Sequence, residues 1–341
     1  SSRYLQHLEL EYPGPFHNRE RRAQTSSSDT PWTLLEIPKS PRILSTITER
    51  LETRALSPST FSAYLECPLK FWYGYVRQIR IPDEETEQLN AAQTGNLLHE
   101  TLEKLFEPLI GALMTPSLLR SLMPQVEQTW KEVRQKNFPW QSFEEGLNAM
   151  VDRMGPQFIH QYLTTEAKAA QRKPALLIDQ ERPLETSILV DEQQVKWRGR
   201  LDRLEQLNGR TRIVDFKSGI LKNNASELRI KGIETCFDGE HSKAFQLMCY
   251  AWMAYRSDPK TYAQGLELAI LPLQQAEGGP RLLEIDQQSL LTVQSLEEFE
   301  ELLLQHLRKI MDPDRPFEAT TQVRKCTYCD FNRICQRSQD D

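Results

Sequence analysis

The stretch "LDRLEQLNGRTRIVDFKSG", residues 201–219, holds the pattern from which the fold can be read. Asn208-Gly209 at its centre is the strongest short-range signal for a two-residue type I′ turn, so the flanking runs read as the arms of a β-hairpin. Such a turn sets the register by counting outward. Leu207 then faces Arg210, Glu205 faces Arg212 as a favourable charge pair, Leu201 faces Phe216 as a packing pair, and Asp202 stands opposite Asp215. Lys217 shares the face of Asp215, because strand side chains alternate. Like charges at cross-strand distance destabilise a hairpin, and an unpaired buried ion is worse. Two arrangements relieve this. One is a buried Asp–Lys–Asp cluster, or a partly exposed hairpin, with no metal. The other places a hard, oxygen-seeking divalent cation such as Mg²⁺ between the carboxylates.

Outward from the hairpin, "LETSILV" (184–190), "QQVKWRGRLDRLEQL" (193–207) and "TRIVDFK" (211–217) read as three antiparallel strands, rich in β-branched residues and separated by turn signals. "KAFQLMCYAWMAY" (243–255) reads as a helix, "AQGLELAILPL" (263–273) as a strand and "SLEEFEELLLQHLRKIM" (295–311) as a long amphipathic helix. Upstream, Ser57 and Pro58 supply an N-cap and a first helical position. A second helix is expected from about Gln93, with Leu98, Leu102, Leu105 and Leu109 at helical spacing and His99 beside that stripe. Residues 112–172 read as further helices. Gln246 and Tyr250 lie one turn apart on one helix face. The order describes an α/β layer fold.

At 341 residues the chain is long enough for one large domain or two ordinary ones. A net charge of -6 does not advertise a nucleic-acid binder, yet a basic groove can sit on an acidic protein. No apolar run approaches the roughly 18 residues of a membrane helix, so no membrane partner is expected. The opening "SSRYLQHLEL" has neither an initiator Met nor an apolar leader segment, and reads as a piece of a longer protein. Residues 1–56 mix polar runs with "WTLLEI" and are expected to form a connector; residues 338–341 are a tail.

Six cysteines are too few for a disulfide scaffold and suit a reduced, cytoplasmic setting. Cys326, Cys329 and Cys335 form C-x2-C-x5-C, while Cys67 lies far upstream in "YLECPLKFWY". Zinc and iron–sulfur clusters both take four thiolates, so spacing alone does not choose between them. Arg324, Lys325, Arg333 and Arg337 make this tail basic, suited either to backbone phosphates or to solvent. Cys249 reads as a small buried hydrophobe; Cys236 has no assignment.

The ordered set "GNLLHE", "WRGRLDRLE", "IVDFKSG" and "FQLMCYA" resembles the PD-(D/E)XK nuclease superfamily, and within it the RecB/AddB-type nuclease domains of bacterial double-strand-break processing. The resemblance covers residues 57–337. The name's first "PD" corresponds to Leu201-Asp202, a departure at the proline, and "(D/E)XK" to Asp215-Phe216-Lys217. It implies a restriction-endonuclease-like core, a central mixed β-sheet flanked by helices, with a helical insertion near 112–172. It implies a Mg²⁺- or Mn²⁺-dependent deoxyribonuclease in which His99, Asp202, Asp215 and the Phe216 carbonyl hold the metal. Lys217 would orient the attacking water, and Gln246 and Tyr250 would act near the scissile phosphate. Phosphodiester hydrolysis needs both a nucleophile near neutral pH and positive charge beside the phosphate, which a cation and Lys217 supply.

By the same resemblance, Cys67, Cys326, Cys329 and Cys335 match the staple that holds a [4Fe–4S] cluster in AddB-type enzymes, with zinc as the other candidate. The implied partners are DNA and a helicase subunit or helicase-like domain, and the implied setting is the bacterial nucleoid. Roughly a hundred residues separate His99 from Asp202. That length suits RecB/AddB-type domains better than the compact CRISPR-adaptation nucleases that share the motifs and the cluster. A catalytically inactive DNA-binding scaffold would normally have lost an acid or the lysine, and none is missing.

Overall fold

The hairpin forms in the register counted from its turn. Asn208 and Gly209 take the left-handed φ values of +55° and +76° that a type I′ turn requires. Leu207 pairs with Arg210 and Glu205 with Arg212, and the ladder runs to Arg203 opposite Val214. The computed structural model describes residues 35–81, 88–221, 226–262 and 265–337. The parts of the expected connector and tail at 1–34 and 338–341 lie outside the described residues.

The arms of the hairpin are β2 (Gln193–Leu207) and β3 (Arg210–Lys217), and β1 (Leu176–Val190) lies antiparallel to β2. The chain then passes through α7 (Ser242–Ser257) to β4 (Leu266–Pro272), which pairs parallel to β3 along its whole length. Two short strands, β5 (Arg281–Leu282) and β6 (Leu290–Leu291), run antiparallel on β4. The result is a curled mixed sheet of order β1-β2-β3-β4-β5 with helices on both faces, as expected of an α/β restriction-endonuclease-like core.

Strand β3 explains why the opening stretch reads as a core strand. Ile213 points into a core shared with α1 (Pro41–Thr53), α2 (Pro58–Glu66), α7 and α8 (Val293–Met311). Val214 and Phe216 point into the other core, under α3 (Ala91–Phe106), α4 (Pro116–Leu122), α5 (Val126–Asn137) and α6 (Gly146–Ala170). Both faces are covered there, so Ile213, Val214 and Phe216 are apolar on either side of Asp215. Residues 112–172, expected as helices, are these last three. Pro124 divides α4 from α5 with a 3₁₀ turn, since proline cannot donate the helical hydrogen bond at that point.

Two expectations need correction. Leu201 and Phe216 do not pack as a pair. The ladder between β2 and β3 ends at Arg203, beyond which β2 keeps its ladder with β1, and the two side chains belong to different cores. The connector expected over residues 1–56 is, from Leu35 onward, part of the folded body. Ser40 caps α1, whose Ile47 and Leu51 are buried, and Leu56 is fully covered. Glu36–Ile37 also pairs with Phe317–Glu318 from the far end of the chain. Ile43, Ile47 and Leu51 recur every four residues, the spacing of a helix with one buried face.

The charge pair foreseen in the hairpin is buried more deeply than an exposed pair would be. Glu205 is fully covered and ion-paired to both Arg203 and Arg212. Arg203 reaches α6 as well, where it donates to Glu166 at 3.0 Å and to the Tyr162 hydroxyl. Removing one member of such a network strands a buried charge. Glu205→Ala is expected to cost about 3 kcal/mol of stability, at the low end for a broken buried pair because Glu166 still faces Arg203. Chemical denaturation would measure it, and a loss below about 1 kcal/mol would mark the network as solvent-screened.

Candidate active site

The sheet is irregular at Asp202, and the irregularity frees its carboxylate. Between β1 and β2, Arg182 pairs with Leu201 and Gln180 with Arg203, leaving Glu181 and Asp202 without a ladder pair between them. Glu181 takes a left-handed φ of +46° inside the strand, a conformation that costs a non-glycine residue about 1–2 kcal/mol. On the other side, the ladder to β3 stops one pair short of Asp202 and Asp215. Asp202 Oδ2 instead accepts the Phe216 backbone N–H at 2.6 Å, and Oδ1 lies 3.6 Å from His99 Nδ1. Glu181 Oε1 lies 3.8 Å from the same nitrogen.

His99 stands on α3, which opens with a reciprocal capping box between Asn90 and Gln93, two residues earlier than the leucine spacing suggests. The imidazole meets Phe216 edge-on at 6.0 Å. Burial alone would push it towards neutrality. The carboxylates of Asp202 and Glu181 outweigh that and raise its pKa to about 10. Among the described residues, His99, Glu181 and Asp202 form the group of three or more metal-ligating side chains whose donor atoms lie within 4.8 Å of one another.

Asp215 is 3% exposed, at the carboxyl end of β3. Burial raises its pKa to about 6; the Lys217 ammonium opposes the rise and Asp202 adds to it. Lys217 Nζ lies 2.7 Å from Asp215 Oδ2, but outside hydrogen-bonding alignment, which leaves that oxygen without a hydrogen bond. The same ammonium donates to Gln246 Oε1 at 2.9 Å, and Gln246 Nε2 donates to the Tyr250 hydroxyl at 2.8 Å. A directed chain therefore runs from β3 across α7. Burial, followed by the Asp215 charge, pushes the Tyr250 phenol well up, so it stays protonated.

Gly199 lets α7 come this close. A Cβ there would lie 2.6 Å from Met253 Cε and 3.0 Å from Tyr250 Cε1. Gly199→Ala is expected to cost about 1–3 kcal/mol by overpacking and to displace Tyr250. Thermal melting would check the first effect and a structure of the variant the second.

These side chains line a cavity of about 770 Å³ between α3, α5 and the sheet, bounded by His99, Glu181, Arg200, Asp202, Tyr250 and Lys136. A second cavity of about 400 Å³ shares Arg200 and Tyr250 and continues to Gln246, Arg198 and Ser57. Sequence reasoning missed Glu181 and Arg200. Glu181 precedes the run 184–190 that reads as a strand, so the hairpin count assigned it no register. Arg200 looks like any solvent-facing strand residue.

A sequence model of the PD-(D/E)XK nuclease superfamily matches residues 55–336. The chain belongs to this superfamily. A comparison with curated proteins gave no match. Among solved structures, that of SSO0001 is similar at 13% identity and a TM-score of 0.33, over 88% of this chain and 98% of that one.

Members of the PD-(D/E)XK superfamily are in general metal-dependent nucleases. The donor set here fits a hard divalent cation: carboxylates and an imidazole converge, and a buried carboxylate oxygen lacks a hydrogen bond. No helix among the described residues is long and apolar enough to cross a membrane.

Far from this site, the fold gathers Cys67 and the three C-terminal cysteines. Cys67 ends α2, and its sulfur accepts the Thr320 N–H at 3.4 Å. The Cys335 thiol is raised to about 11, first by burial and then by the charges of Cys67, Cys329 and Cys326. Cys329 is raised by burial, with Cys67 and Cys326 adding to it. Burial and the neighbouring sulfurs outweigh Lys70 at Cys329 and Arg337 at Cys335, so these two thiols resist ionisation, and a bound metal removes that resistance. Arg337, expected on a basic surface, is buried instead, donating to the Thr320 carbonyl and lying 3.9 Å from Cys326 Sγ. Lys325 is engaged with Gly239 and Glu240. Cys249 and Cys236 are both buried, and burial pushes both thiols up.

Proposed function

We propose that this chain is the nuclease module of a RecB/AddB-like helicase–nuclease, a Mg²⁺-dependent deoxyribonuclease that cuts DNA ends or single strands during break repair and recombination. The observation that carries this reading is the placement of Asp215 and Lys217. They lie at the carboxyl end of a parallel strand, where open α/β sheets bind ligands, and Lys217 joins the Gln246–Tyr250 pair there.

In this reading His99, Asp202, Asp215 and the Phe216 carbonyl hold the cation. When bound, it supplies a nucleophile near neutral pH and positive charge at the phosphate. The protein's own groups do the rest. Lys217, an ammonium with three donors, gives one to Gln246, lies against the Asp215 carboxylate as an ion pair, and has donors left for the phosphate or the attacking water. Gln246 holds Tyr250 by donating to its oxygen, so the phenol proton remains available to a phosphate oxygen. The module extends from Leu35 to Arg337, with residues 112–172 as an insertion above the site.

We assign a [4Fe–4S] cluster to Cys67, Cys326, Cys329 and Cys335. What supports this is the resemblance of Cys67 with C-x2-C-x5-C to the cluster staple, with Cys67, Cys326 and Cys329 grouped near Cys335.

One anaerobic preparation tests both parts. Cleavage of labelled single- and double-stranded DNA in Mg²⁺ but not in EDTA, by a brown protein containing iron, is the expected result. A brown protein that binds DNA without cutting it would indicate a scaffold. A colourless protein with stoichiometric zinc would overturn the cluster assignment.

A further inference from the structure

Glu181 lies outside the four motifs and Arg200 lies within "WRGRLDRLE" with no role assigned to it, yet both side chains border the groove. The Glu181 carboxylate is 11% exposed and faces two ways. Oε1 lies 3.8 Å from His99 Nδ1, within the same cluster of donor atoms as Asp202 Oδ1. Oε2 lies 2.8 Å from Arg200 Nε. The irregularity in β1 faces Asp202: the pair between Glu181 and Asp202 is missing while both flanking ladder pairs are kept, and Glu181 has a left-handed φ.

Arg200 is placed differently. Its side chain is 59% exposed, and it borders both the cation-side cavity and the cavity reached past Tyr250. Glu181 is its close ionic partner. The other, Glu103, is 37% exposed at 3.2 Å, and so strongly screened an ion pair holds a guanidinium weakly. A divalent cation drawing on the Glu181 carboxylate would remove the charge that restrains Arg200. A guanidinium released there faces a groove suited to a phosphodiester, which it can grip bidentately.

We propose that Glu181 is a further carboxylate of the cation seat, and that Arg200, its counter-ion in the metal-free protein, transfers to a substrate phosphate once the cation is in place. This rests on the nuclease reading and adds an order of events. The cation binds first, and its arrival creates part of the DNA site. Arg200 is thus a substrate-binding residue whose availability is set by metal occupancy.

Equilibrium binding separates this from cleavage. The probe is a fluorescently labelled single-stranded oligodeoxynucleotide, followed by anisotropy in Ca²⁺ or in EDTA, with a gel to verify that it stays intact. Ca²⁺ affinity is measured separately by calorimetry. The full chain should bind the oligonucleotide about ten-fold more tightly in Ca²⁺. Arg200→Gln should bind equally in both conditions, at the weaker value, while Arg200→Lys recovers part of the gain. Glu181→Gln should bind Ca²⁺ at least about ten-fold more weakly and bind the oligonucleotide in EDTA more tightly than the unaltered chain. An Arg200→Gln protein that keeps the whole Ca²⁺-dependent gain would overturn the proposal, as would a Glu181→Gln protein unchanged in both measurements. If the unaltered chain cuts DNA in Mg²⁺ while either result is obtained, only the Glu181–Arg200 inference falls. If it binds neither Ca²⁺ nor DNA, the nuclease reading falls with it.

Discussion

Asp215→Asn is expected to reduce Mg²⁺-dependent cleavage by on the order of 10³-fold, comparable to removing a principal electrostatic contact of a transition state, while leaving DNA binding largely intact. The same change should stabilise the metal-free protein. Asp215 is buried, and its pKa is raised from the ordinary 3.8 to about 6. A buried acid with a raised pKa binds its proton more tightly in the folded chain than in the unfolded one. The folded state therefore loses stability as pH rises from about 4 through about 6, and the full penalty remains above that. Asparagine carries no such penalty. In EDTA at pH 7.5 the variant should be more stable by of order 1–3 kcal/mol, and the difference should shrink towards pH 4.5. Thermal melts at the two pH values, beside single-turnover cleavage, make the test. A variant that still cuts would refute the site assignment, and one that is destabilised at pH 7.5 would show that the Lys217 pair outweighs the burial of Asp215. A site that trades stability for charge in this way is typical of catalytic groups.

Cys329→Ser is expected to produce the largest change in stability. In the proposed cluster the four thiols would tie the end of α2 to the last described segment, across more than 250 residues of intervening chain. By analogy with cross-link entropy, closing so long a loop is worth roughly 5 kcal/mol, which corresponds to a drop in melting temperature of about ten degrees for a body of this size. Losing the cluster would also leave the Cys335 thiol in a site where burial and the neighbouring sulfurs raise its pKa. The variant should lose its absorbance near 400 nm (about the position of iron–sulfur charge transfer) together with its iron, and melt early. Melting that does not change would sink the staple, whatever metal it holds.

The two predictions concern parts of the molecule that differ in how much their sequence reveals. The hairpin was readable because its determinants are local. Asn208-Gly209 can adopt the two left-handed conformations of the turn, and a period of two then places each side chain on a face. Counting puts Asp215 and Lys217 on one face, and helical spacing puts Gln246 and Tyr250 one turn apart on α7; the resemblance, not the spacing, implied their roles. The Ser57–Pro58 start of α2 was readable for the same reason, since capping is settled within four residues.

What the count could not supply was where the ladders stop. Asp202 does not pair with Asp215, because β2 leaves β3 at Arg203 to follow β1, and Leu201 goes with it into the other core. Glu181 was invisible because a left-handed residue within a strand breaks the periodicity that would have located it. Arg337 read as part of a basic tail, yet the Thr320–Cys326 segment buries it. The segment 35–56 read as a connector although its helix buries Ile47 and Leu51 against elements far along the chain. In each case the deciding partner lies tens to hundreds of residues away. The sequence by itself determined the turn, the alternation and the chemical types brought to the carboxyl end of β3. The tertiary structure alone decided which charges are buried, where the strands part, and that Glu181 and Arg200 face the groove, because burial and register depend on which distant segments cover each face.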